Sequence, residues 1–200
     1  WSDNDHVTGV AFGDNTFVGV SSTYLTKSTD NGSNWIQGCS GVRVHDIAFG
    51  NSKFVGSGAE GAIQISPDNG SSCSTPAGNG SGTTTESLYG ITFGNSRFLT
   101  VGSDGWLSLT SDDGNNFTPL TKPLANHLYS TVYGNNKFVA VGSKSVVVSN
   151  NDGSSDPILK DSTLTANDVT FGNGVFVAVG DNEIIYTSTD DGDTWTPVYP

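Results

Sequence analysis

The chain has 200 residues, enough for one domain with a buried core, and its 20 acidic against 8 basic residues leave a net charge of −12. Such a surface repels phosphate backbones and anionic lipid, which argues against nucleic acid or a membrane surface as partner. No run of 18 apolar residues occurs, so no spanning helix is expected, while 26 Gly and a charged fraction of 14% point to short strands joined by tight turns.

Met is absent, even at position 1, and no basic-apolar-small leader opens the chain. The expectation is a processed, exported protein whose signal peptide has been removed, with acidity serving solubility. In that setting the even count of Cys39 and Cys73 suggests a disulfide. The repeat register described next does not obviously bring them together, so two unpaired thiols remain the alternative. Sequons at Asn31, Asn69, Asn79 and Asn116 matter only if the source is eukaryotic and secretory.

Along the chain one pattern returns five times: HVTGVAFGDNTFVGV, VHDIAFGNSKFVGSG, LYGITFGNSRFLTVG, LYSTVYGNNKFVAVG and NDVTFGNGVFVAVG. Their anchoring glycines are Gly13, Gly50, Gly94, Gly134 and Gly172, so the period is close to 40 residues. Each copy continues through a second alternating run into a turn motif: STDNGSNW, SPDNGSSC, TSDDGNNF, SNNDGSSD and STDDGDTW. In the third copy the strands read YGITF, RFLTVG, WLSLT and NFTPL, cut by Gly, Asn and Asp turns, and no helical period survives anywhere. Four antiparallel strands repeated at this period make a propeller blade. The fold class expected is therefore all-β, a five-bladed β-propeller filling residues 1–200 as a single domain, with blades near 1–39, 40–79, 80–122, 123–161 and 162–200. The first copy starts with a complete innermost strand and the last ends with its outermost, so closure is expected from packing between first and last blades, with Trp1 and the terminal VYP nearby.

The motif S-x-D-x-G-x-x-W resembles the Asp-box (BNR-type) repeat of sialidases, xyloglucanase-type glycoside hydrolases, sortilin-like receptors and photosynthetic assembly factors. The resemblance implies that Asp30, Asp68, Asp112 and Asp190, with Gly32, Gly70, Gly114, Gly153 and Gly192, form the turn between third and fourth strands, away from any ligand. Physically, the Asp side chain can bond N–H groups of its own turn, Gly supplies the left-handed conformation, and Trp35 or Trp195 buries an apolar face. Phe117 replaces the Trp conservatively, whereas Cys73 and Asp156 depart, and Asn151 stands where the fourth acid belongs, so that corner should be the least well held.

The resemblance further implies that ligands meet the channel mouth, the end where chain enters the innermost strands and where second-to-third-strand loops lie. Four residues before the anchors stand Gly9, Asp46, Gly90, Ser130 and Asp168, and five before stand Thr8, His45, Tyr89, Tyr129 and Asn167. The loops add Tyr24, Trp106, Asp181 and Glu183, and the long Gly/Ser-rich segment 73–87 enters the third blade on the same side. These positions vary while the turns repeat, which suits one or two asymmetric sites and not one site per blade.

Three functions follow as expectations. The leading one is a monomeric propeller binding a glycan or other extracellular ligand, with Tyr24, Tyr89, Trp106 and Tyr129 stacking and His45, Asn167, Asp181 and Glu183 bonding; no cofactor is required, though carboxylates there could hold Ca²⁺. The second is a glycoside hydrolase or polysaccharide lyase in which Asp46 and Asp168 form an acid/base pair, one raised in pKa by the other. The third is a protein-interaction scaffold. A sialidase is excluded because its clamp needs three arginines and only Arg43 and Arg97 exist. A photosynthetic assembly role fits poorly for want of a basic patch. His6, His45 and His127 offer a conceivable three-His zinc site, but His45 is out of register with the others.

Overall fold

The computed structural model describes residues 6–76, 84–110, 114–149 and 156–199. Five antiparallel sheets follow one another along the chain. The first comprises β1 (Gly9–Gly13), β2 (Thr16–Val20), β3 (Tyr24–Ser28) and β4 (Ile36–Ser40). The second has β5 (Val44–Gly50), β6 (Lys53–Gly58) and β7 (Ile63–Ser66), and its fourth strand is reduced to a single bridge between Ile65 and Ser74. The third runs through β8 (Leu88–Gly94), β9 (Arg97–Gly102), β10 (Leu107–Thr110) and β11 (Phe117–Pro119). The fourth has β12 (Leu128–Gly134), β13 (Lys137–Gly142), β14 (Ser145–Val148) and β15 (Ile158–Asp161), and the fifth β16 (Asp168–Gly172), β17 (Val175–Val179), β18 (Ile185–Ser188) and β19 (Thr196–Val198). This is the five-bladed β-propeller expected, strand for strand except at the second blade's outer edge.

The reason one glycine recurs is visible between blades. A β-carbon on Gly13 would lie 2.0 Å from the Phe49 ring, on Gly50 2.2 Å from Phe93, on Gly94 2.0 Å from Tyr133, and on Gly134 2.3 Å from Phe171. Each anchor is thus a cradle for the aromatic residue that precedes the next anchor, and only hydrogen fits there. Four clusters of buried residues fill the space between successive sheets; the one joining the fourth and fifth holds Val139, Val141, Val146, Val148, Val169, Phe176 and Ala178. Dispersion and apolar burial between sheets hold the blades in series, supplemented by hydrogen bonds from blade to blade at the channel.

The acidic corners behave as the motif implies. Asp30 Oδ1 accepts from Ser28 Oγ at 2.8 Å and Asn34 N–H at 2.9 Å, while Ser28 Oγ accepts the Gly32 N–H at 2.9 Å. Asp68 and Asp190 repeat this with Ser66 and Ser188, and with the N–H and hydroxyl of Ser72 and Thr194. Trp35 and Trp195 donate their indole N–H to Gly32 and Gly192 carbonyls at 3.0 and 3.1 Å. The third and fourth corners, with Asp112, Asn151 and Gly153, lie outside the described residues.

Among the described residues the innermost strands pack most closely in the series β1, β5, β8, β12, β16, and close packing of β16 on β1 is not seen; Trp1 and Pro200, expected near the closure, lie outside the described residues. Among the described residues nothing lies within 4 Å of a β-carbon built on Gly172. The cysteines do pair. Cys39 of β4 joins Cys73 of the second corner, with Cα atoms 5.8 Å apart, and the Cys39 N–H donates to the Gly70 carbonyl at 3.0 Å.

Candidate ligand site at the channel mouth

The chain entering each innermost strand pairs with the loop between that blade's second and third strands. Ala59 N–H donates to the Arg43 carbonyl, Ser103 N–H to Ser87, Ser143 N–H to His127 and Asn167 N–H to Val179, at 2.7–2.9 Å. All these segments therefore share one end of the molecule, opposite the acidic corners. Two of the loops are single 3-10 turns, Ala59–Gly61 and Ser103–Gly105, in which Glu60 and Asp104 take left-handed φ of 55° and 51°.

Four rings from three consecutive blades gather there. Tyr89 is central, with ring centroids 6.2 Å from His45, 6.2 Å from His127 and 6.1 Å from Tyr129, and His127 lies 6.4 Å from Tyr129. His45 Nδ1 donates to the Leu88 carbonyl at 3.0 Å, and His127 Nδ1 accepts the Asp104 N–H at 3.2 Å, so each imidazole is oriented by the neighbouring blade. His127 is exposed and the other three are half-buried, an arrangement that presents ring surface to solvent.

The two acids differ in spite of their shared register. Asp46 lies in a bulge of β5; its Oδ1 accepts the Ile47 N–H at 2.8 Å and its Oδ2 the Ile91 N–H of the third blade at 3.0 Å. Burial pushes its carboxyl above the usual carboxylate range, the two N–H groups pull the other way, and the charge of Asp168 adds a smaller upward push. Asp168 is exposed, its Oδ1 accepting from Ser130 Oγ at 2.6 Å and from Val169 N–H at 2.9 Å. Each carboxylate thus ties adjacent blades together at the channel.

Of the remaining candidates, Asn167 Nδ2 donates to Asp181 Oδ1 at 2.8 Å, and Glu183 is exposed in the β17–β18 loop with φ 62°. Asp181 borders an open cleft of about 360 Å³ with Thr163, Thr165, Tyr186 and Tyr199. Trp106 stands apart from the rings: it packs on the core between second and third blades, and Lys122 Nζ lies 4.9 Å over its face. Tyr24 is buried, so it offers no stacking surface. Arg43 is held by Glu60 at 2.7 Å. No group of three or more His, Cys, Asp and Glu among the described residues is arranged to hold a metal ion. The sequence does not point to His127 as part of a ring cluster, because its distance from the anchor glycine differs from that of Tyr129; its place beside Tyr89 depends on the Ser103–Gly105 turn.

Fold and corner geometry together define a β-propeller whose described corners are closed by Asp and Gly. Solved structures that share the fold include the following three. YCF48 bound to D1 peptide aligns with a TM-score of 0.70 and 18% identity over 97% of this chain and 67% of that one. YCF48 from Cyanidioschyzon merolae gives 0.70 and 15% over 98% and 72%, and a chain of the nidogen/laminin complex gives 0.74 and 10% over 98% and 81%. No protein-family model and no curated protein sequence matches the chain. Among the described residues no helix is long and apolar enough to cross a membrane.

Proposed function

We infer that this propeller is an exported binding protein that holds a glycan at its channel mouth, against the rings of Tyr89, His45, His127 and Tyr129. The observation carrying this reading is the four-ring cluster itself. Sugar rings present apolar C–H faces that stack on aromatics, while their hydroxyls need the amides and carboxylates nearby, here Asp168, Asn167 and Asp181. The Cys39–Cys73 disulfide supports export, since such bonds persist in oxidising compartments. A glycan array probed with wild type and Tyr89→Ala, with and without Ca²⁺, tests it. Binding by wild type that falls at least tenfold in the variant is expected; equal signals from both proteins would move the ligand elsewhere.

A hydrolase or lyase using Asp46 and Asp168 is the second reading, favoured by the burial that raises Asp46. It requires release of product from a polysaccharide panel by wild type and loss of that release in Asp46→Asn. A peptide ligand is the third, supported by the shared fold with YCF48, a protein described bound to a D1 peptide. It predicts an array without signal and retention of peptides on the immobilised chain.

A further inference from the structure

The two imidazoles of the ring cluster are held in opposite tautomers. A carbonyl oxygen only accepts, so the His45 Nδ1 lying 3.0 Å from the Leu88 carbonyl carries the proton, and its Nε2 keeps a lone pair. A main-chain N–H only donates, so the His127 Nδ1 that receives the Asp104 N–H at 3.2 Å is the bare nitrogen, and the proton of the neutral ring is on Nε2. Both partners are backbone groups, which cannot exchange these roles. Both also belong to the third blade, which carries Tyr89: Leu88 opens β8, and Asp104 lies in the Ser103–Gly105 turn.

Nε2 of each ring is left without a hydrogen bond among the described residues. Tyr89 stands 6.2 Å from each imidazole, stacked on His45 with 20° between the planes and edge-on to His127 at 89°. The cluster therefore offers an aromatic face with one acceptor and one donor beside it. A ligand that satisfies both must donate to His45 and accept from His127. A carboxylate only accepts and an ammonium only donates, so neither serves both rings, whereas a hydroxyl can do either. Hydroxyls project from the rim of a sugar ring whose C–H face can lie on an aromatic. Asp168 and Asp181 at the same end, with a net charge of −12, disfavour anionic sugars.

Resting on the glycan reading above, we propose that the opposed tautomers of His45 and His127 select a neutral sugar over Tyr89, one rim hydroxyl donating to His45 Nε2 and another accepting from the His127 Nε2–H. The two histidines are then specificity-determining residues with different demands. The same tautomers make them a poor metal pair, because the His127 Nε2 lone pair is occupied by its proton while Nδ1 is engaged.

Two-bond proton–nitrogen correlation spectra of the nitrogen-15-labelled chain, in mildly alkaline buffer, read the tautomers directly: Nδ1–H at His45 and Nε2–H at His127 are expected. His45→Asn and His127→Asn test the selection, since an Asn amide can keep the bond to Leu88 or to Asp104 while removing the Nε2 group. Both should unfold at the wild-type temperature, and each should weaken the best neutral oligosaccharide of the array about tenfold. Among monodeoxy forms of that sugar, loss of one hydroxyl should weaken wild type about tenfold and leave His45→Asn unaffected, and loss of a different hydroxyl should do the same for His127→Asn. An array silent for wild type, with or without retention of a peptide, overturns the ligand together with the reading it rests on. Array signal with matching tautomers, or with variants that bind as wild type does, overturns the opposed pair alone.

Discussion

The Phe171 ring lies against Gly134 so closely that a β-carbon there would be 2.3 Å from its Cγ. Fourth and fifth blades can approach only because the side chain is absent, and the same holds at three earlier interfaces. Gly134→Ala should therefore cost about 1–3 kcal/mol, because the added methyl forces the ring off its rotamer or the sheets apart. Gly172→Ala, with an empty cradle, should leave the stability of the single chain within about 0.5 kcal/mol of wild type. Urea unfolding compares them. Equal costs at both sites would contradict the cradle.

Acid should act on the corners in a defined window. N–H and hydroxyl donors hold Asp30 and Asp190 at about 2, below the usual 3.8: main-chain and side-chain bonds from Asn34 dominate at Asp30, and those from Thr194 at Asp190. Carboxyls depressed on folding contribute stability above about pH 4 and lose it as pH falls through about 2. Asp46 runs opposite: burial raises it, so its ionised form is a cost that protonation relieves at a higher pH. Carboxyl-carbon NMR should show Asp46 titrating above 3.8 and the two corner acids near 2. The reverse order would remove the electrostatic account.

The Cys39–Cys73 bond spans 34 residues and joins the first blade's outer strand to the second corner. Replacing both cysteines with Ser should cost about 2–4 kcal/mol, largely through a freer unfolded chain. Among the described residues the second blade has no full outer strand, and the Ile65–Ser74 bridge holds that edge, which makes this staple matter. Unfolding of the double variant beside wild type, with and without reductant, checks it. Indifference of wild type to reductant would contradict it.

What could be read from residues alone was whatever the fold repeats. The anchor glycines and S-x-D-x-G corners have a local cause, a cradle or a turn, so their period revealed the blades. The even cysteine count suggests the pairing, and the repeat register hides how it is made, because Cys73 occupies the place of a corner Trp and meets a strand of the preceding blade. Asp46 and Asp168 share a register and differ in burial, since β8 covers the first and no blade covers the second. Trp106, which its loop position suggests for stacking, has Lys122 over its face and packs on the core.

The central functional claim is that ligand meets the rings at the channel mouth. Resonances of the imidazole and tyrosine rings, followed by NMR during titration with the best glycan from the array, test it most directly. Shifts concentrated on His45, Tyr89, His127 and Tyr129, with Trp35 and Trp195 unmoved, are the result predicted. Movement of the two corner tryptophans with silence at Tyr89 would place the ligand at the opposite end and contradict the account.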